Sequence, residues 1–422
     1  MQIELPYGKG KLPLNVPDKN LLEVVLPNEV IHPEQPGALI RKALDSPMGT
    51  DRLSEIAKPG DRVAVVVDDY TRPCPNKDLL PPLLEELRKA DVSDSDVTII
   101  VACGTHKPPS FDMIKDIVGD KVARNYTVIT NDSVNGDFVS VGRSKRGNNI
   151  EVLRDYVDAD IKILVGDIEY HYFAGYGGTR KSILPGISSN NTIQNNHKLM
   201  FEEHACTGVL KDNPVHLEMN EALHFAGCDF ALSVVLNSNH RIVGAWAGRP
   251  ESVLDAGVKL VDEMYKRKVA AKADIIVIAA DGYPHDINLY QAIKALHTSI
   301  PVLKENGVVV LVAECKDGHG SQMYVDWMKN HKSSKEVEAA LKKNFIMGAH
   351  KAYYHYKAIE NHPVIFVSNM DKNDVENLFR FKYAQNPDEA LKKAFDIAGK
   401  DAKVLVVPNG TTAFLTDFAS DR

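Results

Sequence analysis

Two α/β domains with largely parallel sheets are what this chain of 422 residues predicts, and three observations carry the expectation. Short runs of β-branched and other apolar residues recur along it, and most lead through a polar or glycine-rich turn into a helical stretch. The runs are continuous rather than alternating, as in strands buried on both faces, and strands alternating with helices pair in parallel. A length of 422 residues also exceeds what one hydrophobic core normally serves.

Taken in order, the first run is 62–67 (RVAVVV), which opens into Asp68-Asp69-Tyr70-Thr71-Arg72-Pro73 before a helical stretch at 79–90 (LLPPLLEELRKA). The second, 97–102 (VTIIVA), leads to Cys103-Gly104-Thr105-His106-Lys107-Pro108. The third, 161–165 (IKILV), precedes the segment 171–186 (HYFAGYGGTRKSILPG), which carries His171, Gly177, Gly178 and Lys181. The fourth, 275–279 (IIVIA), leads to Asp281-Gly282-Tyr283-Pro284 and on to Tyr290, Gln291 and Lys294. Further runs are 308–313, 364–367 and 404–407, with a helical pattern at 334–345 (SKEVEAALKKNF). Residues 261–274 (VDEMYKRKVAAKAD) read as a charged helix followed by a new strand pattern. That places a cofactor-binding and catalytic domain at 1–265 and a second α/β domain at 266–422, the segment after Asn409 being able to return to the first. Ligands of open α/β sheets bind beyond the carboxyl ends of strands, so the four polar clusters are candidate site segments, with an active-site cleft expected between the domains.

Composition narrows the function. An apolar fraction of 44% with 25% charged residues is ordinary for a globular protein, and a net charge of −7 speaks against a sequence-independent nucleic-acid binder. No apolar run reaches the roughly 20 residues that span a bilayer, and the N-terminus lacks a basic start before an apolar core. Five scattered cysteines, Cys74, Cys103, Cys206, Cys228 and Cys315, suit a reducing cytoplasm and neither a disulfide framework nor a cysteine zinc site.

The individual residues leave alternatives open. Arg72 is placed to hold a carboxylate by two parallel hydrogen bonds, or to pair with Asp68 or Asp69. His106 can exchange a proton at cellular pH or be a hydrogen-bonded turn residue. Lys181 follows two glycines as in a phosphate loop, but the Walker spacing and the dinucleotide glycine pattern are both absent. His197 reads as structural or as a ligand, and His204, His216 and His224 do not form a zinc motif. Tyr290, Gln291 and Lys294 have helical spacing and line one face, either solvated or turned into a cleft.

Together these residues resemble the nickel-dependent lactate racemase family over essentially the whole chain. The resemblance rests on Asp69-Tyr-Thr-Arg72-Pro, Gly104-Thr-His106-Lys-Pro, His171 with Lys181 ten residues on, His197 sixteen further, and Tyr290-Gln291-x-x-Lys294. It implies a racemase or epimerase of 2-hydroxy acids using a nickel pincer nucleotide, a pyridinium-3-thioamide-5-thiocarboxylic acid mononucleotide that carries nickel. In that family pattern Lys181 forms the covalent thioamide link and His197 ligates nickel, while the cofactor supplies the other donors. The ring takes a hydride from the substrate, His106 and His171 accept and donate protons for the two enantiomers, and Arg72, Tyr290, Gln291 and Lys294 hold the carboxylate and hydroxyl. Asp69, Gly177 and Gly178 are placed near the cofactor, and an aromatic contact to it is sought within 345–354 (FIMGAHKAYY).

The resemblance implies cofactor-assembly enzymes as partners, a small 2-hydroxy acid as substrate and a cytoplasmic location, with neither nucleic acid nor membrane involved. A 2-hydroxy acid oxidoreductase on the same cofactor is the alternative enzyme, and a nucleotide-binding protein without catalysis the alternative from another class. Retention of His106, His171, Lys181 and His197 together argues against the latter.

Overall fold

The computed structural model describes residues 1–28, 30 and 34–417, and no helix among them is long and apolar enough to cross a membrane. They form two compact units, one within 29–264 and the other combining 1–28 with the chain from 265 onward.

In the 29–264 unit a six-stranded sheet runs in the order Ile242–Gly248, Phe230–Leu236, Ile161–Asp167, Val63–Asp68, Val97–Ala102, Thr127–Thr130. All neighbours pair in parallel except the first two, which are antiparallel. Val63–Asp68 is buried along its length up to Asp68, as a two-faced apolar run requires. The helix Asn76–Lys89 covers it through Leu79, Leu80, Leu83, Leu84 and Leu87, with Pro81 and Pro82 inside the helix. From Val63–Asp68 the chain winds outward through two strands, then returns to the opposite side with Ile161–Asp167. The strand order therefore reverses between these two neighbours, where open α/β sheets bind ligands.

The second unit holds a wholly parallel sheet in the order Lys382–Ala384, Val364–Val367, Leu303–Val312, Ala273–Ala279, Val404–Val407, Leu21–Val24. The sequence reading assigned residues 1–28 to the first domain, whereas here they belong to the second unit. Leu21–Val24 pairs with Val404–Val407, and the hairpin Gln2–Tyr7/Gly10–Asn15 buries Ile3, Leu5 and Leu14 with Ile275, Val277 and Val404. Phe414–Thr416 stays in the same unit, paired with Lys266–Lys268. Within 261–274 the expected helix-to-strand change falls at Tyr265, where the helix Pro250–Tyr265 ends and the next residues take up that pairing. The seven expected runs are all strands, while Phe230–Leu236, Ile242–Gly248 and Thr127–Thr130 are strands not singled out from the sequence.

Candidate active site

The reversal point of the first sheet gathers three of the four polar clusters. Directly after Val63–Asp68 comes a tight turn in which Asp69, 4% exposed, accepts from both Thr71 N (3.1 Å) and Thr71 Oγ1 (2.6 Å) through Oδ1. Its other oxygen, Oδ2, lies 2.8 Å from His106 Nδ1, on the turn after Val97–Ala102. Burial pushes the Asp69 carboxyl up, but the His106 hydrogen bond and charge, with Thr71 and Arg72, outweigh it and hold the group below the usual carboxylate range. A carboxylate can only accept, so His106 Nδ1 carries the proton, and in the neutral ring Nε2 is left with its lone pair. Asp69, expected near a cofactor, is thus the immediate partner of His106.

Arg72 pairs with neither Asp68 nor Asp69. Its nearest carboxylate is Glu169, 3.7 Å from Nε, and Nη1 donates to Thr71 O (3.3 Å) and Thr71 Oγ1 (3.2 Å). Beneath it, Asp68 and Asp167 close the two adjacent strands, with Asp167 N donating to Asp68 Oδ2 at 3.1 Å. Their carboxylate oxygens and Cys74 Sγ all lie within 4.8 Å of one another. Burial raises both carboxyls; Glu169 and Asp68 push Asp167 further, whereas Arg72 and Lys181 pull Asp68 back. Burial, then Asp68 and Asp167, also keep Cys74 a thiol.

The segment 171–186 is held by a residue that sequence reading did not single out. Arg180, with no exposed surface, donates from Nη1 to Gly177 O and Gly178 O (3.1 Å each) and from Nη2 to Ala174 O (3.3 Å) and Tyr176 O (2.8 Å). Its Nε donates to His216 Nδ1 at 2.8 Å. Burial lowers its pKa to about 9, which still leaves a cation at cell pH; burial and that cation lower His216 to about 3, so the imidazole is neutral and accepts. Gly178 has φ of +86°, and a Cβ there would stand 2.7 Å from Ile168 Cγ1. The smallness of Gly178 is therefore used by the loop's own packing, whereas a Cβ on Gly177 would make only ordinary contact with Glu169 Cγ at 3.4 Å.

On this scaffold Lys181 keeps part of its surface open. Burial first, and the charge of Arg72 second, lower its pKa to about 7, so at neutral pH much of it is an uncharged, nucleophilic amine. His197 closes the helix Asn190–His197, whose first turn is capped by Ser189 accepting from Thr192 N. It is 5% exposed, and burial, then the charges of Lys181 and His106, lower its pKa to about 3 and keep it neutral. Phe173 sets its edge against both His171 (4.5 Å, 85°) and His197 (5.1 Å, 70°). His171 accepts from Ala174 N at Nδ1 (3.2 Å), so its neutral ring carries the proton on Nε2, the opposite tautomer to His106. One sheet edge thereby brings Asp69, Arg72, His106, His171, Lys181 and His197 together.

The other residues that the resemblance assigns to substrate, Tyr290, Gln291 and Lys294, belong to the second unit. Tyr290 and Gln291 are on the short helix Leu289–Ala292, whose start is capped by Asn288 Oδ1 accepting from Gln291 N (3.0 Å), and Lys294 opens the helix Lys294–Ser299. All three are partly exposed. Within 345–354, Tyr353 and Tyr354 are buried on the helix His350–Ile359, the ring of Tyr354 edge-on to His297 at 4.4 Å. Asp167, Glu169, Arg180 and Lys351 were missed. Asp167 falls just past an apolar run and Glu169 in a loop, and a buried arginine bonded to carbonyls leaves no pattern in the sequence.

Comparison with known proteins bears on the whole chain. Residues 7–208 match the model of the lactate racemase N-terminal domain, and residues 268–415 that of the lactate racemase C-terminal domain. The lactate racemase of Thermoanaerobacterium thermosaccharolyticum is 34% identical over 98% of this chain and 99% of its own length. That of Lactiplantibacillus plantarum is 31% identical over 97% and 98%. The apoprotein structure of the Thermoanaerobacterium enzyme superposes with a TM-score of 0.91 over 98% of this chain and all of the other. A Thermotoga maritima protein, 16% identical with a TM-score of 0.68, shares the fold.

Proposed function

The chain belongs to the lactate racemase family and is a racemase, and we propose that it inverts the C2 centre of a 2-hydroxy acid with a nickel pincer nucleotide anchored on Lys181. The observation that carries this reading is the placement of both Lys181 and His197 at the reversal of the sheet, close enough for the charge of Lys181 to lower His197. An enclosed amine brought down to about 7 suits covalent attachment, and an imidazole kept neutral by burial suits a metal. The group would be held by Lys181 and His197, beside Asp69 and the loop of Gly177 and Gly178. When bound it supplies a hydride acceptor, so that the α-hydrogen need not leave as a proton beside a carboxylate.

The protein side chains do the rest. His106 takes the substrate hydroxyl proton at Nε2, and the resulting imidazolium is stabilised by the Asp69 carboxylate on Nδ1. His171 presents Nε2–H to a substrate oxygen, and to take up a proton itself its ring must give up the Ala174 N–H bond. Arg72 holds the carboxylate, a role in which it exchanges the long Glu169 pair for two parallel hydrogen bonds. For Tyr290, Gln291 and Lys294 the resemblance supports a hold on carboxylate and hydroxyl, so that either face of the planar 2-keto acid can be presented.

The test is to express the protein with the cofactor-assembly enzymes proposed as its partners and measure intact mass, nickel and optical rotation on lactate, malate and aldonic acids. The expected result is a mass increase and nickel in the wild type, neither in Lys181→Ala, and rotation decaying without build-up of keto acid. An unmodified, nickel-free wild type under those conditions would overturn the cofactor reading, and accumulating keto acid would replace the racemase with an oxidoreductase.

A further inference from the structure

Lys351 is 1% exposed, on a helix, His350–Ile359, most of whose side chains are buried. Lysine is almost never so deeply buried unless its charge is put to use, because removing an ammonium from water is costly. Its Nζ stands 5.2 Å from the centre of the Tyr290 ring, within cation–π range. Tyr290, Lys294 and His297 are spaced i, i+4 and i+7, and so share one stripe of the chain running through Leu289–Ala292 and Lys294–Ser299. Lys351 and Tyr354, three apart, meet this stripe from the other helix, Lys351 at Tyr290 and Tyr354 at His297. Burial, then the like charge of Lys294, push the Lys351 ammonium well down, so an anion arriving at Lys294 relieves both lysines.

We propose that Lys351 is a positioning residue for substrate, fixing the Tyr290 ring from beneath once a carboxylate held at Lys294 restores its charge. The proposal rests on the assignment of Tyr290 and Lys294 to substrate made above. It does not place Lys351 in contact with substrate: its effect passes through the ring of Tyr290.

The experiment uses protein loaded by co-expression with the assembly enzymes and whichever 2-hydroxy acid the wild type racemises, so a wild type without activity refutes the function and not this inference. Lys351→Met keeps the length and removes the charge. It is expected to raise KM about tenfold, the size a desolvated cation–π contact supports, with kcat within threefold and nickel content unchanged. The same substitution is expected to raise KM equally in a Tyr290→Phe background, which keeps the ring, and far less in Tyr290→Leu, which lacks it. A folded, loaded Lys351→Met with wild-type KM makes the lysine merely structural and overturns the proposal. So does a KM effect of equal size in Tyr290→Leu, and a loss of nickel at unchanged KM would reassign the charge to the nucleotide phosphate. If Lys351→Met does not fold, Tyr290→Leu alone decides, since an unchanged KM there leaves Lys351 nothing to act through.

Discussion

Asp69→Asn should damage turnover more than Asp69→Ala, and the reason lies in which oxygen faces which partner. Asp69 Oδ1 accepts two hydrogen bonds from Thr71, and Oδ2 faces His106 Nδ1 at 2.8 Å. In an asparagine the two Thr71 donors would keep the amide oxygen on their side and turn the amide nitrogen toward His106. An NH₂ group donates, so the imidazole would have to accept at Nδ1 and carry its proton on Nε2. The lone pair that takes the substrate proton would then be lost without any change of shape. Imposing the wrong tautomer on a catalytic histidine costs on the order of 10⁴ in kcat, and loss of general-base help alone ~10² to 10⁴. Alanine removes the carboxylate without imposing a donor, so water can take its place and the cost stays near the lower end, about 10². Steady-state racemisation of both enantiomers, with loading checked by intact mass, reads the effect. Since the equilibrium constant between enantiomers is unity, kcat/KM must fall by the same factor in both directions. A loaded Asp69→Asn that keeps a tenth of wild-type activity, or one that exceeds Asp69→Ala, would refute the assignment of the His106 proton.

Two further perturbations test the frame around the site. Arg180→Met strands four carbonyls, three of them buried, and the His216 nitrogen, each buried group costing about 1–3 kcal/mol, while relief from burying a cation offsets part of that. The net is a loss of about 3–5 kcal/mol for the unit that holds the site, seen as a drop of roughly 10 °C in Tm and as failed attachment at Lys181; a shift under 2 °C would show that Arg180 does not hold the loop. Glu86, whose side chain is 4% exposed, is bound by Arg52 (3.1 Å) and Lys89 (2.7 Å). Burial pushes its carboxyl up, but the Lys89 and Arg52 hydrogen bonds outweigh it and leave the folded value below the unfolded one. Its stabilisation is therefore full above the unfolded value of about 4.3 and is lost as pH falls through the folded value. Urea midpoints followed from pH 6 to 3 should fall less steeply in Glu86→Gln than in the wild type.

How much of this was legible follows from what each feature depends on. A strand buried on both faces writes itself into a local run of apolar residues, so Val63–Asp68, Val97–Ala102 and Val364–Val367 could be read directly. Leu21–Val24, with a glutamate in four residues, is a strand only because Val404–Val407 offers it a free edge some 380 positions later in the chain. Membership of residues 1–28 in the second unit is a consequence of that pairing, and no local pattern contains it. The site behaves alike. His106, His171, Lys181 and His197 stand out as chemistry-bearing types at strand ends, whereas the bond from Asp69 to His106 depends on two loops 37 residues apart. Arg180 and Lys351 were invisible because their roles come from burial, which sequence does not show for a charged residue.

The turn after Ala273–Ala279, which in sequence resembles the other three strand-end turns, differs from them in that Asp281 is already bonded. The strand order of the second sheet reverses between Ala273–Ala279 and Val404–Val407, which by topology alone would be an equally good binding point. There the two following loops are laced to each other. Gly410 N donates to Ala279 O at 2.8 Å, and Asp281 accepts from Thr411 N (2.6 Å), from the Thr411 hydroxyl and from Thr412 Oγ1 (3.1 Å). A carboxylate already bonded to three donors has little left to offer a ligand. At the reversal point of the first sheet, by contrast, Arg72 has its nearest carboxylate at 3.7 Å and Lys181 is pushed toward neutrality. The same topology thus supplies two positions, and the first is the one where a guanidinium and a partly neutral amine are left available to a ligand.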